Sequence, residues 1–108
     1  MPRSEEDRNA DIVESCDRIA AFIAGMTFES FRADERTVRA VLYELIVIGE
    51  AAKSIGEQTR ARFSEIPWQR VAGLRDIAVH QYHGVMLDLI WDTVTIRVPE
   101  LGQTLSSA

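Results

Sequence analysis

The sequence predicts an all-α fold: a small up-down bundle of four main helices with short helical segments between them. Three observations predict it. Apolar residues recur at three- and four-residue spacing along most of the chain. Strand-like alternation, hairpin turn signals and internal repeats are absent. Residues suited to helix caps and stops fall between the apolar stretches. At 108 residues the chain suits a single domain over 1–108 with one core. Its 46% hydrophobic and 27% charged residues fit a globular protein and exclude a disordered one.

Taken in order, Ser4 suits the N-cap of the first helix. Glu5, Glu6 and Asp7 follow in the first turn, where the helix dipole favours negative charge. Ile12, Cys16, Ile19, Ala20, Ile23 and Met26 then form one core-facing stripe. The stretch TFESFRAD is expected to be a short helical turn or loop holding two buried Phe anchors. Asp34 caps a second helix over about 35–55, whose stripe runs from Val38 to Ile55. Its segment LIVIGEAA is apolar nearly all round, which requires a central position or burial by a second subunit. Gly49, Ala52 and Gly56 lie near one face, where another helix can approach closely, within the chain or across a dimer. Glycine inside a helix costs about 1 kcal/mol relative to alanine, and close packing is the expected compensation.

Gly56 ends the second helix, and TRARFSEI is expected to be a polar, basic connection. Pro67 suits the first turn of a third helix over 67–82, with His83 and Gly84 as its stop. The last helix is expected to begin within 85–88 and to carry Leu87, Ile90, Trp91, Val94 and Val98. Pro99 is expected to kink or break it, leaving the short tail PELGQTL.

Composition narrows the function classes. The single cysteine, Cys16, excludes an internal disulfide and fits a reducing compartment. No apolar run reaches the roughly 18 residues a membrane span needs, and the acidic N-terminus lacks the apolar core of a signal peptide. A cytoplasmic location with no membrane partner is expected. Net charge of −5 argues against a broad nucleic-acid surface. The distribution qualifies this, because residues 53–75 carry five Lys/Arg against Glu57 and Glu65, the only basic segment. A small local anion site fits; a long electrostatic groove does not.

That basic segment leads into RDIAVHQYHG, residues 75–84, where the chemistry-bearing side chains gather. No metal-binding or phosphate-cradling motif is present. His80 and His83 have no carboxylate at supporting spacing, so neither a metal site nor a cofactor is expected. Arg75 and Tyr82 are about two helical turns apart and share a face. His80 lies about 140° round a regular helix from Arg75, so either the helix loosens there or a neighbouring chain completes the site. His80 in a last helical turn is placed where the dipole favours imidazolium, which suits a proton donor. Arginine offers a permanently charged fork for a phosphate. The two together suffice for metal-free phosphodiester cleavage. The same residue types also suit a plain helix end: an arginine paired to a glutamate on a neighbouring helix, a capping histidine and a half-buried tyrosine.

Arg75 through Tyr82 reads R-x4-H-x-Y, which resembles the signature of the HepT-like branch of the HEPN superfamily of small helical ribonucleases. ELIVIGEAAK at 44–53, IPWQRVAGLRD at 66–76 and HQYHGV…LIWDTV at 80–94 resemble that family's flanking helices. The resemblance covers most of residues 28–105 in order and spacing. It implies a HEPN-like bundle, a homodimer with Arg/His motifs facing one cleft, and a metal-independent endoribonuclease toxin acting on RNA. It further implies an antitoxin that is a minimal nucleotidyltransferase of the MntA type, which silences the toxin by AMPylation of the motif tyrosine. Carried over, Arg75 and His80 are catalytic and Tyr82 is the modified residue. Asp76, a supporting residue, stands where the family often has asparagine; it could orient Arg75 or His80, or repel a phosphate. The alternative is a non-catalytic HEPN module that binds a nucleotidyltransferase or nucleotide without cutting RNA.

Overall fold

The computed structural model describes residues 4–80 and 87–107, and among them every regular element is helical. Helix α1, Glu5–Ile23, starts as its sequence requires: the Ser4 hydroxyl accepts the Asp7 N–H at 3.0 Å. Ile12, Cys16 and Ile19 are buried on its inner face, whereas Ala20, expected in that stripe, is exposed. Gly25 ends the segment with φ +76°, the left-handed region where a side chain is strained.

The TFESFRAD stretch is a single short helix, α2, Phe28–Ala33, opened by a capping box between Thr27 and Ser30. Of its two phenylalanines Phe31 is fully buried and Phe28 only partly so. Both rings rest on Trp91, at centroid distances of 5.0 and 6.4 Å, which ties α2 to the last helix.

Asp34 accepts the Thr37 N–H at 3.1 Å and so starts α3, Glu35–Lys53. This helix packs against both α1 and α5 (Trp68–His80) and is the centre of the bundle. Val41, Leu45, Ile48 and Ala52 are fully buried, each large side chain contributing about 1.5–3 kcal/mol through removal from water. The chain's own helices thus bury Leu45, Ile48, Gly49 and Ala52 of LIVIGEAA, while Ile46, Val47 and Ala51 are only partly covered. Helix α3 stops at Lys53, two residues before the expected end, and Gly56 serves as N-cap of the next element.

That element corrects the expected loop: TRARFSEI contains most of a short helix, α4, Glu57–Arg62. Two bonds hold its start. Glu5 accepts the Gly56 N–H at 2.6 Å and the Thr59 hydroxyl at 3.1 Å, and Thr59 is buried. The Gly56 bond is the main cause that holds the Glu5 carboxyl below its usual range.

Helix α5 follows Pro67, whose carbonyl accepts the Val71 N–H at 3.0 Å. The expected stop at His83 and Gly84, and any start of the last helix before Leu87, lie outside the described residues. The final helical run comprises α6, Leu87–Asp92, a π-helical stretch Thr93–Arg97, and α7, Val98–Ser106. Pro99 therefore does not break the chain into a tail. It occupies the first turn of α7, just after the wide turn in which the Val98 N–H bonds to the Thr93 carbonyl. The Thr93 and Thr95 hydroxyls donate to the carbonyls of Leu89 and Trp91, at 2.8 and 2.7 Å, bracing the widened backbone.

Candidate functional site

Gly49 sets the site's geometry. A Cβ added there would lie 2.6 Å from the backbone nitrogen of Arg75 and 3.0 Å from the carbonyl of Ala72. The Gly49 backbone therefore rests directly on the backbone and Cβ of Arg75 where α3 crosses α5. This is the close approach within the chain that the small residues allowed, at Gly49 itself. Gly56 instead donates its N–H to Glu5.

The crossing fixes what surrounds Arg75. Its backbone nitrogen and Cβ lie against Gly49, and its guanidinium stands beside Glu50, the next residue of α3. Arg75 Nε pairs with Glu50 Oε1 at 3.2 Å, and Nη1 donates to Asp76 Oδ1 at 3.0 Å. Lys53, in the last turn of α3, brings its Nζ within 4.0 Å of the same Glu50 oxygen. The Arg75 side chain is 42% exposed, so these are solvent-facing pairs worth at most about 1 kcal/mol each. The arginine-to-glutamate pairing that a plain helix end would show is present, yet it contributes little to the fold.

Asp76 is fully solvent-facing. Its hydrogen bond from Arg75 holds its carboxyl below the usual range, and the positive charges of Lys53 and Arg75 act in the same direction. The acidic residue is thus paired directly with Arg75. His80 is exposed and is the last described residue of α5. The helix is regular as far as His80, and whether it loosens there lies outside the described residues. Tyr82, with Gln81, His83 and Gly84, lies outside the described residues.

Sequence reasoning placed Lys53 only in a basic segment and passed over Glu50. The signal available was GEAAK itself: Glu50 and Lys53 share a helix face three residues apart, next to the glycine that admits α5. Among the described residues no group of three or more His, Cys, Asp or Glu is placed to hold a metal ion. No helix among them is long and apolar enough to cross a membrane. A cleft of about 550 Å³ separates α5 from the last helical run, walled by Val71, Leu74, Ile77, Val98 and Leu101. Arg75 and His80 do not line it.

Comparison with known proteins bears on this arrangement. A family model described as "Ribonuclease HepT-like" matches residues 12–108. A protein of Thermococcus cleftensis named as a probable ribonuclease HepT is 39% identical over 101 residues, spanning 94% of this chain and 92% of its own. A protein of Caldanaerobacter subterraneus subsp. tengcongensis named as a candidate RNase is 37% identical over 90 residues, 83% of this chain and 80% of its own. One of Methanocaldococcus jannaschii, named likewise, is 40% identical over 89 residues, 82% and 74% of the two chains. No solved structure matches.

Proposed function

Because the chain belongs to the HepT-like ribonuclease family of the HEPN superfamily, we propose that it is a metal-independent endoribonuclease, the toxin of a type VII-like toxin–antitoxin pair, with Arg75 and His80 as its catalytic residues. The observation that carries this reading is the placement of Arg75. Its guanidinium stands at the surface on a backbone contact that fixes its origin, held by exposed carboxylates that a phosphate can displace.

The chemistry follows from the groups. The 2′-oxygen attacks phosphorus as its proton is taken by a base, and the 5′-oxygen leaves as it receives a proton. The products are a 2′,3′-cyclic phosphate and a 5′-hydroxyl. Arg75 stabilises the charge that builds on the non-bridging oxygens, and an imidazole moves a proton. A single His80 cannot be both empty and loaded at once, and on a regular helix it lies about 140° from Arg75. A homodimer that sets two Arg75/His80 pairs about one cleft answers both difficulties.

Silencing is assigned to a minimal nucleotidyltransferase of the MntA type, which transfers AMP to Tyr82. The added phosphodiester places negative charge and bulk two residues from His80, in competition with the RNA phosphate.

The decisive experiment is RNA cleavage by purified protein in a chelator. Arg75→Ala and His80→Ala are each expected to lower the rate about 100-fold or more. Two folded variants that cut like the parent would discard the site. Light scattering is expected to give a dimer at micromolar concentration; a monomer counts against a shared cleft. Mass spectrometry after co-expression with the adjacent nucleotidyltransferase is expected to show added AMP, lost in Tyr82→Phe. A second reading, a binding module without nuclease activity, draws on the Asp76 carboxylate bonded to Arg75 and the net charge of −5. Stable partner binding with no cleavage above background would select it.

A further inference from the structure

We propose that Lys53 and Arg75 form a two-cation seat for RNA phosphates, and that Glu50 is its positioning residue. The inference rests on the ribonuclease reading and names residues which that reading leaves without a role.

Three features of the α3–α5 crossing carry it. Gly49 presses α3 onto the backbone of Arg75, so the distance between the two helices is fixed at this point. One oxygen of Glu50 then meets two cations, Arg75 Nε at 3.2 Å and Lys53 Nζ at 4.0 Å. Both cations belong to the only basic segment of an acidic chain, and they stand at its two ends in sequence. Folding brings the ends of that segment together on one carboxylate.

Each member has a distinct part. Glu50 takes the Nε edge of Arg75, which turns the terminal nitrogens of the guanidinium outward. Asp76 holds Nη1 until a phosphate replaces it. Lys53 lies in the last turn of α3, where the helix dipole favours a cation, and is about half exposed, free to reorient towards an anion. A phosphodiester arriving at Arg75 would find Lys53 available for the same group or for the next phosphate along the strand. Neither Glu50 nor Lys53 touches the reacting atoms in this scheme. Glu50 acts through Arg75, and Lys53 acts on binding.

The test compares cleavage of a single-stranded RNA by the full chain and by Lys53→Ala, Glu50→Gln and Glu50→Asp. Lys53→Ala is expected to raise KM about five- to tenfold with kcat nearly unchanged, and to lower the slope of log KM against log salt by about 0.7, one phosphate's worth on a single strand. Glu50→Gln is expected to lower kcat roughly tenfold through misplacement of Arg75, with partial rescue by Glu50→Asp. In the free protein, the Arg75 Nε–Hε resonance is expected to stand apart from those of free side chains and to join them in Glu50→Gln. This readout does not depend on activity. Both substituted residues are solvent-exposed, so the variants are expected to fold. The proposal is overturned if Lys53→Ala keeps the parent's KM and salt slope, or if Glu50→Gln keeps its kcat and its Arg75 resonance. If the parent cuts no RNA, the ribonuclease reading fails by itself. The seat is then judged on binding of a 2′-deoxy oligonucleotide, which Lys53→Ala must weaken with the same loss of slope.

Discussion

Where α3 meets α1, the contact belongs to a dry core of large side chains: Ile12, Cys16 and Ile19 join Val41, Leu45 and Ile48, all nearly or wholly without exposure. Where α3 meets α5, the nearest approach is glycine against backbone, and a few ångströms outward it becomes a cluster of charges in water. The first flank holds the helices together by volume. The second holds them by proximity and leaves the side chains beside it unburied. A residue needed for stability belongs on the first flank, and one needed to meet a solvated anion belongs on the second. Arg75 is on the second.

The contrast can be broken by mutation. Ile48→Ala, at a position with no exposure, is expected to cost about 2–5 kcal/mol in urea unfolding. On the other flank, Gly49→Ala is expected to cost about 1–3 kcal/mol net, because helix propensity favours alanine while its Cβ would drive into the Arg75 backbone. A Gly49→Ala protein as stable as the parent would show that α5 is not seated there. Arg75→Ala, by contrast, is expected to change stability by less than about 1 kcal/mol, since its ion pairs are exposed. A large loss would place Arg75 in the structural framework.

Smaller effects sharpen the picture at the edges of the core. The Cys16 thiol is pushed up to about 12 by burial, with the Asp17 charge adding to it. A thiol reagent at neutral pH is expected to modify it only as fast as the protein opens. Glu5 has a folded pKa below its unfolded value of 4.5, so its contribution is complete above that value and is lost as pH falls through the folded one. Glu5→Gln is therefore expected to flatten the acid limb of stability below about pH 4.5, leaving the neutral-pH fold intact.

Much of this architecture was legible in the sequence because it is locally specified. Ser4 and Asp34 cap the helices they were expected to cap, and the all-round apolar LIVIGEAA takes the centre. TRARFSEI misled because its polarity and short length hide a helix whose start is supplied by Glu5, about fifty residues away. Pro99 misled because an interior proline usually ends a helix; here the preceding turn widens to admit it. At the site, Arg75 and Asp76 come together as neighbours in sequence, which spacing could suggest. Glu50 and Lys53 join them only through the crossing of α3 and α5, a tertiary fact that one-dimensional spacing does not carry.

The wide turn at Thr93–Arg97 has a consequence for register. It stores one residue beyond what a regular helix of the same height would hold. Deleting a single exposed residue there, such as Thr95, would let the backbone close into an ordinary α-helix with its ladder intact, and everything after it would keep its face relative to Leu87–Asp92. Leu101 and Leu105 would stay in the core, whereas closing the turn without the deletion would rotate both by about 100° away from it. The widened turn thus keeps the C-terminal turns in phase with α6 despite a surplus residue, and it is the widening that lets them present their apolar face to α1.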